Sequence, residues 1–152
     1  MPRSLQCAIA LMLTSRLSAQ VAQMSDSEMR RVAARVSELD VRRQFPSATV
    51  ATVDSLLAFY SDSVVYEHPS VDAVVRGKAA LLAGMLQYMG SRPTTTIDAP
   101  RITIGARIAV LDVAAQPDPR DPARPIPAGR RAIRVLEFDA QGKVRRILDY
   151  PW

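Results

Sequence analysis

The spacing of the hydrophobic residues changes along the chain, and this change constrains the fold more than any other feature. Before Pro93, apolar residues recur mainly every three or four positions, which is typical of amphipathic helices. After Pro93, short apolar stretches alternate with polar residues and are separated by turns that contain glycine, which predicts β-hairpins. The sequence therefore predicts an α+β domain, in which helices pack on one curved antiparallel sheet.

Three helices and one strand are predicted before Pro93. A capping box, Ser25 with Glu28 three residues later, begins the first helix, and Phe45-Pro46 ends it. The third helix is predicted from about Gly77 to Gly90, and the strand SVVYEHP precedes it. The apolar side of the second helix is predicted to contain Val53, Leu56, Leu57 and Tyr60.

Four strands are predicted after Pro93, in two pairs. TTTIDAPRITI and RIAVLDVAA flank Gly105-Ala106, whereas RRAIRVLEF and KVRRILDYPW flank a turn at Ala140-Gln141-Gly142. The segment between the pairs, residues 116–129, contains five prolines. Because proline has no N–H to donate to a neighbouring strand, we expect an exposed loop there, either a lid or a flexible insertion.

The N-terminal segment, residues 1–23, has the layout of a secretory signal peptide. Arg3 precedes an apolar run from Leu5 to Leu13, and small residues follow. We expect cleavage after Ala19 or Ala22. The apolar run is shorter than the roughly 20 residues that a membrane span needs. We therefore expect a secreted or periplasmic domain over residues 24–152; the alternative is a frayed amphipathic helix.

Removal of this segment would also change the charge and the cysteine content. Cys7 is the only cysteine, so the mature chain would have neither disulfide nor thiol chemistry. Without Arg3 and Arg16, the 20 basic residues fall to 18 against 15 acidic ones, so the net charge falls from +5 to +3. Both signs of charge are interspersed along the first helix without aromatic residues, which indicates a solvated helix face and not a nucleic-acid site. These residues are Glu28, Arg30, Arg31, Arg35, Glu38, Asp40, Arg42 and Arg43.

The residue types present limit the chemistry that the chain can perform. A single histidine and no cysteine in the mature chain exclude a zinc site with ordinary ligand spacing. Neither GxGxxG nor GxSxG occurs in the sequence, so a phosphate-binding glycine loop and a nucleophile elbow are not predicted. An enzyme with this sequence would use general acid–base catalysis and electrostatic stabilisation without a cofactor or metal.

Two stretches resemble a known superfamily. LLAFYSDSVVYEHP followed by RGKAALLAGM, and later RVLEFDAQGKVRRILDY, resemble the nuclear transport factor 2-like superfamily, in particular its SnoaL-like polyketide cyclases and ketosteroid isomerases. The resemblance extends from Ser25 to the end of the chain. It implies a cone, in which the curved antiparallel sheet and three N-terminal helices enclose an apolar pocket for a small molecule, and a homodimer formed through the sheet. Isomerases, cyclases, dehydratases, epoxide hydrolases and non-catalytic binding modules all share this fold.

The resemblance also implies three catalytic positions. The slot of the isomerase general base, directly before a proline, holds His68, and the slot of an oxyanion-stabilising acid holds Arg134. The slot of the proton-transferring aspartate of the cyclases and epoxide hydrolases holds Asp149. The isomerase tyrosine on the first helix falls near Gln44, so a steroid-isomerase mechanism is not favoured.

Strand periodicity indicates where these side chains point. Val64, Tyr66 and His68 share the more apolar face of their strand, which we expect to face the pocket. Arg134 also lies on an apolar face, and a buried guanidinium requires an anion, for which Asp149 is the obvious candidate. A two-residue loop at Gln141-Gly142 would place the two opposite each other, whereas a three-residue loop would separate them. The pair could be catalytic or only an internal salt bridge.

Four further residues are candidates for ligand binding. Tyr66, Tyr150 and Trp152 are predicted at the pocket or its rim, although core packing explains the tyrosines equally well. Asp112 lies in the middle of a strand, and the pattern leaves its face undetermined. The sequence leaves three functions open: an acid–base enzyme, a non-catalytic ligand-binding module, and a module that binds protein through its sheet. Two convergent titratable groups inside the cone would favour the enzyme.

Overall fold

The fold was determined from a computed structural model, which describes residues 24–91, 99–114 and 130–150. Three α-helices and six β-strands follow each other in the order ααββαββββ. The helices are α1 (Asp26–Arg42), α2 (Val50–Leu57) and α3 (Lys78–Gln87). The strands are β1 (Tyr60–His68), β2 (Ala73–Arg76), β3 (Arg101–Gly105), β4 (Ile108–Ala114), β5 (Arg131–Phe138) and β6 (Val144–Tyr150). The predicted signal peptide, the proline-containing loop 116–129 and Trp152 lie outside the described residues.

Local signals in the sequence explain where the helices begin. The side chain of Ser25 accepts a hydrogen bond from the backbone N–H of Glu28 at 3.2 Å, which confirms the predicted N-cap of α1. Thr49 and Thr52 form a capping box at the start of α2. Gly77 precedes α3 with a φ of 84°, a conformation that strongly favours glycine. Its N–H donates to the carbonyl of Val64 at 2.7 Å and thereby ties the start of α3 to β1.

The six strands form one curved, unclosed sheet in the order β2-β1-β6-β5-β4-β3. All neighbours are antiparallel except β1 and β6, which are parallel. The predicted α+β fold with three helices is confirmed, but two details of the prediction were wrong. Strand β2 was not predicted, because its four residues follow the strand-ending His68-Pro69 and lie at the edge of the sheet. Tyr60 begins β1 and does not belong to α2.

A hydrophobic core fills the space between the helices and the inner face of the sheet. On α1, the predicted apolar positions Met29, Val32, Val36 and Leu39 are all buried. Alternate residues of the central strands meet them, as the two-residue period of a strand requires. The largest fully buried side chains are Phe138, Met29, Leu56, Leu111, Leu136, Val36, Val53, Val64 and Val144.

The turn between β5 and β6 has three residues. A two-residue turn would by itself have given the predicted pairing of these two strands. The N–H of Asp139 donates to the carbonyl of Lys143 at 2.8 Å, so residues 140–142 form the loop. Gly142 has a φ of 75°, a left-handed conformation that suits glycine. The side chain of Asp139 also accepts hydrogen bonds at 2.9 Å from the N–H groups of Gln141 and Lys143. This side chain therefore holds the turn in shape.

A β-bulge then shifts the register back by one residue. Phe138 is opposite Val144, but Glu137 is opposite Arg146, so Arg145 is the additional residue on β6. Beyond the bulge, Arg134 lies opposite Asp149. The predicted pairing of these two residues is confirmed, although it arises from a three-residue loop and a bulge together.

Candidate functional site

A chain of alternating charges connects α1 to the inner face of the sheet. Arg43 donates from Nε to Oδ1 of Asp40 at 2.7 Å, and Arg134 donates from Nη1 to Oδ2 of the same carboxylate at 2.6 Å. Arg134 also donates to both oxygens of Asp149, from Nη2 at 2.6 Å and from Nε at 3.3 Å. Two cations thus alternate with two anions, and the four formal charges sum to zero.

Each member is positioned by a different part of the fold. Asp40 and Arg43 lie three residues apart on the last turn of α1 and just beyond it, so their side chains reach each other along the helix surface. Arg134 and Asp149 are opposite each other on β5 and β6. Their shared face is the inner one, because α1 packs on that side and supplies Asp40. We name these four residues, Arg43, Asp40, Arg134 and Asp149, the ionic chain.

Exposure differs between the two ends of the ionic chain. The side chain of Asp40 is 10% exposed and that of Arg43 is 14% exposed, so the α1 end is enclosed. Arg134 and Asp149 retain 18% and 17%. Asp149 is therefore the less enclosed of the two carboxylates.

Burial and charge act in opposite directions on the ionisable groups of the chain. Burial alone would raise the pKa of Asp40, but the charges of Arg134 and Arg43 outweigh it and lower the pKa below its usual value. Burial alone would lower the pKa of Arg134, but Asp149 and Asp40 outweigh it and raise the pKa. Asp40 therefore remains an anion and Arg134 a cation over the whole physiological pH range.

Tyr66 extends the ionic chain to β1. Its hydroxyl donates to Oδ2 of Asp149 at 3.3 Å, and its side chain is partly buried against the core. Burial, together with the negative charge of Asp149, raises the pKa of Tyr66 above that of an exposed phenol. The phenol therefore remains a proton donor. The predicted inward position of Tyr66 is confirmed.

His68 lies near this group but not in contact with its carboxylates. Its imidazole is partly buried, and the ring centroid lies 6.4 Å from that of Tyr66. The hydrogen bond of its Nδ1 goes to the hydroxyl of Ser70 at 3.2 Å. Within the described residues, the structure thus brings together Arg134, Asp149 and Tyr66 and leaves His68 beside Tyr66.

Two predicted ligand-binding residues lie on the wrong face of the sheet. Asp112 and Tyr150 are each opposite Ile133, one residue out of phase with the inward-facing Arg134, so their side chains face outwards. Asp112 accepts a hydrogen bond from Nε of Arg131 at 2.6 Å, and Tyr150 is 43% exposed. The prediction that these side chains contribute to the pocket is corrected.

Asp40 and Arg43 are site residues that the sequence analysis missed. Both were grouped with the solvated charges of the first helix, yet Asp40 is buried and the side chain of Arg43 is only 14% exposed. A signal was present, because Asp40 lies four residues after Val36 and eight after Val32 on the buried stripe of the helix. A charged residue that continues an apolar stripe requires a partner from the packed element.

Other candidate sites in the described residues were also considered. A shallow cleft of about 400 Å³ lies on the exposed side of α1 against α2 and includes none of the predicted site residues. Over residues 24–91, 99–114 and 130–150, no group of three or more histidine, cysteine or acidic residues is arranged to hold a metal ion. No helix in the same ranges is long and apolar enough to cross a membrane.

Comparisons with solved structures identify the fold. A NTF-2 like protein of unknown function from Burkholderia xenovorans LB400 has a TM-score of 0.58 and 15% identity, covering 84% of each chain. The epoxide hydrolase/cyclase-like enzyme SalBIII, which acts in pyran ring formation in polyether salinomycin, has a TM-score of 0.60 and 15% identity, covering 84% of this chain and 92% of its own. A protein assigned to the SnoaL-like polyketide cyclases from Shewanella putrefaciens CN-32 has a TM-score of 0.60 and 10% identity, covering 96% of this chain and 91% of its own.

These similarities show that the chain has the nuclear transport factor 2-like fold, of the kind found in SnoaL-like proteins. The resemblance inferred from the sequence is thereby confirmed at the level of the fold. No protein-family model and no curated protein matches the sequence.

Proposed function

We propose that this chain is an acid–base enzyme that needs no cofactor and acts on a lipophilic, oxygenated small molecule inside the cone. The observation that carries the proposal is that one guanidinium bonds two carboxylates whose other hydrogen-bond partners differ. Asp40 is hydrogen-bonded by Arg134 and by Arg43, whereas Asp149 is bonded by Arg134 and by the neutral hydroxyl of Tyr66. Different surroundings give two carboxylates different roles, as acid–base sites require.

We assign the role of base to Asp149 and not to Asp40. A carboxylate held by two guanidinium groups is poorly able to take up a proton, because protonation would leave two buried cations facing a neutral acid. Among the described residues, Arg134 is the one cation paired with Asp149, which is also the less enclosed of the two carboxylates. In this proposal, Asp149 accepts a proton from a hydroxyl group or from an activated C–H group of the ligand.

Arg134 and Tyr66 would stabilise the negative charge that develops when the proton leaves. Arg134 carries a fixed positive charge at low exposure, and a fixed charge is most effective where water is largely excluded. The hydroxyl of Tyr66 keeps its proton and can donate it or a hydrogen bond to an enolate or alkoxide oxygen. In this proposal the inner face thus provides a base, with a cation and a neutral acid each hydrogen-bonded to it.

The geometry favours Asp149 over His68 as the base. His68 has no hydrogen bond to Arg134, Asp149 or Tyr66, and its Nδ1 bonds to Ser70 instead. In our proposal the imidazole contacts the outer part of the ligand.

The reaction named for one protein of similar fold would need the same roles of base and acid. SalBIII is described as an epoxide hydrolase/cyclase-like enzyme in pyran ring formation. Ring closure on an epoxide needs a base that removes a hydroxyl proton and an acid that protonates the opening epoxide oxygen. Asp149 and Tyr66 would provide these two functions here, so opening or closure of an oxygen-containing ring is the reaction we test first.

The test uses chemical probes, because the natural substrate is unknown. We would incubate the purified chain with a panel of lipophilic epoxides and hydroxy-epoxides, and with ketones in D₂O, and follow ring opening, ring closure and deuterium uptake by mass spectrometry. Loss of one acid–base group reduces the rate about 10²–10⁴-fold, and we expect that loss for Asp149→Asn on any probe that reacts. Tyr66→Phe should also reduce the rate while leaving binding of the probe in place.

Glu67→Gln is the matched control for these variants. Glu67 is also bonded through both oxygens by one arginine of β6, Arg146, at 3.1 and 2.9 Å, but on the outer face of the sheet. Its replacement should leave turnover unchanged. If Asp149→Asn turns over every reactive probe at the wild-type rate, Asp149 is not the base and the ionic chain is only structural. A wild-type chain that converts none of the probes would instead favour a non-catalytic binding module.

We also propose that the chain forms a homodimer through the outer face of the sheet. Ile133 and Tyr150 lie opposite each other on that face and are 37% and 43% exposed, respectively. Val135 and Leu148 continue the apolar surface in the same two strands. Charged residues of both signs, Glu137 and Arg146 among them, border it, and such a surface can be complementary to a second copy of itself.

A further inference from the structure

The carboxylate of Asp40 contacts Arg134 but lies on the far side of the guanidinium from Asp149. Its Oδ2 accepts from Nη1, whereas Asp149 accepts from Nη2 and Nε. All three guanidinium nitrogens therefore donate to a carboxylate, and these bonds together define the orientation of the planar group. The bidentate contact with Asp149 restrains the Nε–Nη2 edge, and the contact with Asp40 adds a hold on Nη1.

Arg43 compensates the charge of Asp40. Its Nε donates to Oδ1, so each oxygen of Asp40 faces a different arginine. Without Arg43, the enclosed carboxylate of Asp40 would draw on Arg134 alone and compete with Asp149 for it. Arg43, just beyond α1, therefore supports Asp40, and Asp40 contacts Arg134 of β5.

We propose that Asp40, whose charge Arg43 compensates, is a positioning residue: through Arg134 it orients the cation that faces Asp149, so the end of α1 determines the geometry at the reacting end of the ionic chain. The effect of this positioning on catalysis rests on the proposed function, whereas the positioning of Arg134 does not. A structural salt bridge would need only a pair of opposite charges. Here the arrangement spans three elements, α1, β5 and β6, and each carboxylate oxygen has its own donor.

Glu38 provides a matched control on the same helix. It is also bonded by two arginines, Arg35 at 2.6 Å and Arg42 at 2.8 Å, but its side chain is 31% exposed and neither partner belongs to the sheet. Glu38→Gln therefore removes a carboxylate between two arginines of α1 without touching Arg134.

The positioning can be tested by NMR of the arginine side chains in the intact chain. Resolved Nη proton signals indicate slow rotation of a guanidinium, and the signals of Arg134 would be assigned by their loss in Arg134→Lys. We expect resolved Nη1 signals in the wild type and in Glu38→Gln, and averaged signals in Asp40→Asn. Arg43→Met should keep them resolved, because Asp40 still holds Nη1. Unchanged Arg134 signals in Asp40→Asn would overturn the proposal.

Arg43→Met also covers the case in which Asp40→Asn does not fold. If the Arg134 signals average in Arg43→Met, the order at Arg134 depends on α1 packing in general and not on Asp40, and the proposal is wrong. With a probe that reacts, Asp40→Asn should lower kcat and leave KM nearly unchanged, since misplacing one group by about 1 Å can reduce the rate about 10²-fold. The NMR result needs no turnover, so its failure and the failure of the proposed function are distinguishable.

Discussion

At the scale of single residues, the central feature is Arg134 between two carboxylates. A buried guanidinium without a partner would cost several kcal/mol, and the fold supplies two anions from two different elements. Because the second of these anions, Asp40, must stay ionised to pair with Arg134, the free energy of unfolding should depend on pH under acidic conditions.

We expect Asp40 to make the protein sensitive to acid. Its pKa in the folded state is lowered from the ordinary 3.8, so the unfolded chain binds a proton at a pH at which the folded chain does not. Stability from this group is therefore complete well above pH 4 and is lost as the pH falls below it. Urea unfolding of the wild type between about pH 6 and pH 2 should show this decrease in the unfolding free energy.

The variant Asp40→Asn should show a shallower decrease over the same pH range, because the titrating group is gone. It should also be less stable at neutral pH, by about 3–5 kcal/mol, since two enclosed guanidinium groups lose their shared anion. Glu38→Gln should retain most of the steep wild-type profile, because Glu38 is partly exposed and its ion pairs are screened by solvent. Equal slopes for the wild type and Asp40→Asn would contradict this assignment.

At the scale of elements, the β5–β6 hairpin determines whether the ionic chain forms. The loop at residues 140–142 and the bulge at Arg145 together place Arg134 and Asp149 opposite each other on one face. Either feature without the other would shift one strand by a residue and move one of the two side chains to the outer face.

Gly142→Ala is therefore expected to destabilise the hairpin. The left-handed φ of 75° costs a residue with a Cβ about 1–2 kcal/mol, whereas the space around the added Cβ is adequate, with Sδ of Met24 at 3.4 Å. Gly105→Ala, in the β3–β4 hairpin, is the control: nothing lies within 4 Å of its Cβ, and the left-handed position there is Arg107. Thermal unfolding of both variants would measure the difference, and equal melting temperatures would contradict the explanation.

The sequence predicted the elements better than it predicted their connections. The apolar stripe of α1, its Ser25 cap and the inward position of Tyr66 all follow from local spacing, and each is confirmed. The predicted pairing of Arg134 with Asp149 is correct. The two-residue turn proposed to produce it is wrong, because a bulge leaves no clear signal in the sequence. Asp40 was missed because charge alone suggested solvent, and only its position on the buried stripe indicated otherwise.

At the scale of the whole molecule, the two faces of the sheet have different roles. The inner face carries the ionic chain and the core, and the outer face carries exposed apolar side chains bordered by ion pairs. The proposed homodimer uses the outer face and leaves the inner one free for a ligand.

Ile133→Asp should therefore abolish the dimer without changing turnover. A charge in the centre of an apolar interface remains without a partner when the two copies associate. Val71→Asp is the matched control, because Val71 is also exposed, at 59%, but lies in the turn between β1 and β2. Sedimentation at tens of micromolar should show a dimer for the wild type and Val71→Asp and a monomer for Ile133→Asp. A monomeric wild type would count against the proposed interface.

The parallel pairing of β1 with β6 also bears on how the protein folds. Tyr66 is opposite Ile147, so two strands that are adjacent in the sheet come from distant parts of the sequence. Contacts of this kind close large loops, which makes them slow to form during folding. The hydrogen bond from Tyr66 to Asp149 crosses that pairing, whereas the contact of Arg134 with Asp149 lies within a local hairpin. During refolding, Arg134 should therefore find Asp149 early, and Tyr66 should join them only when the two halves of the sheet dock.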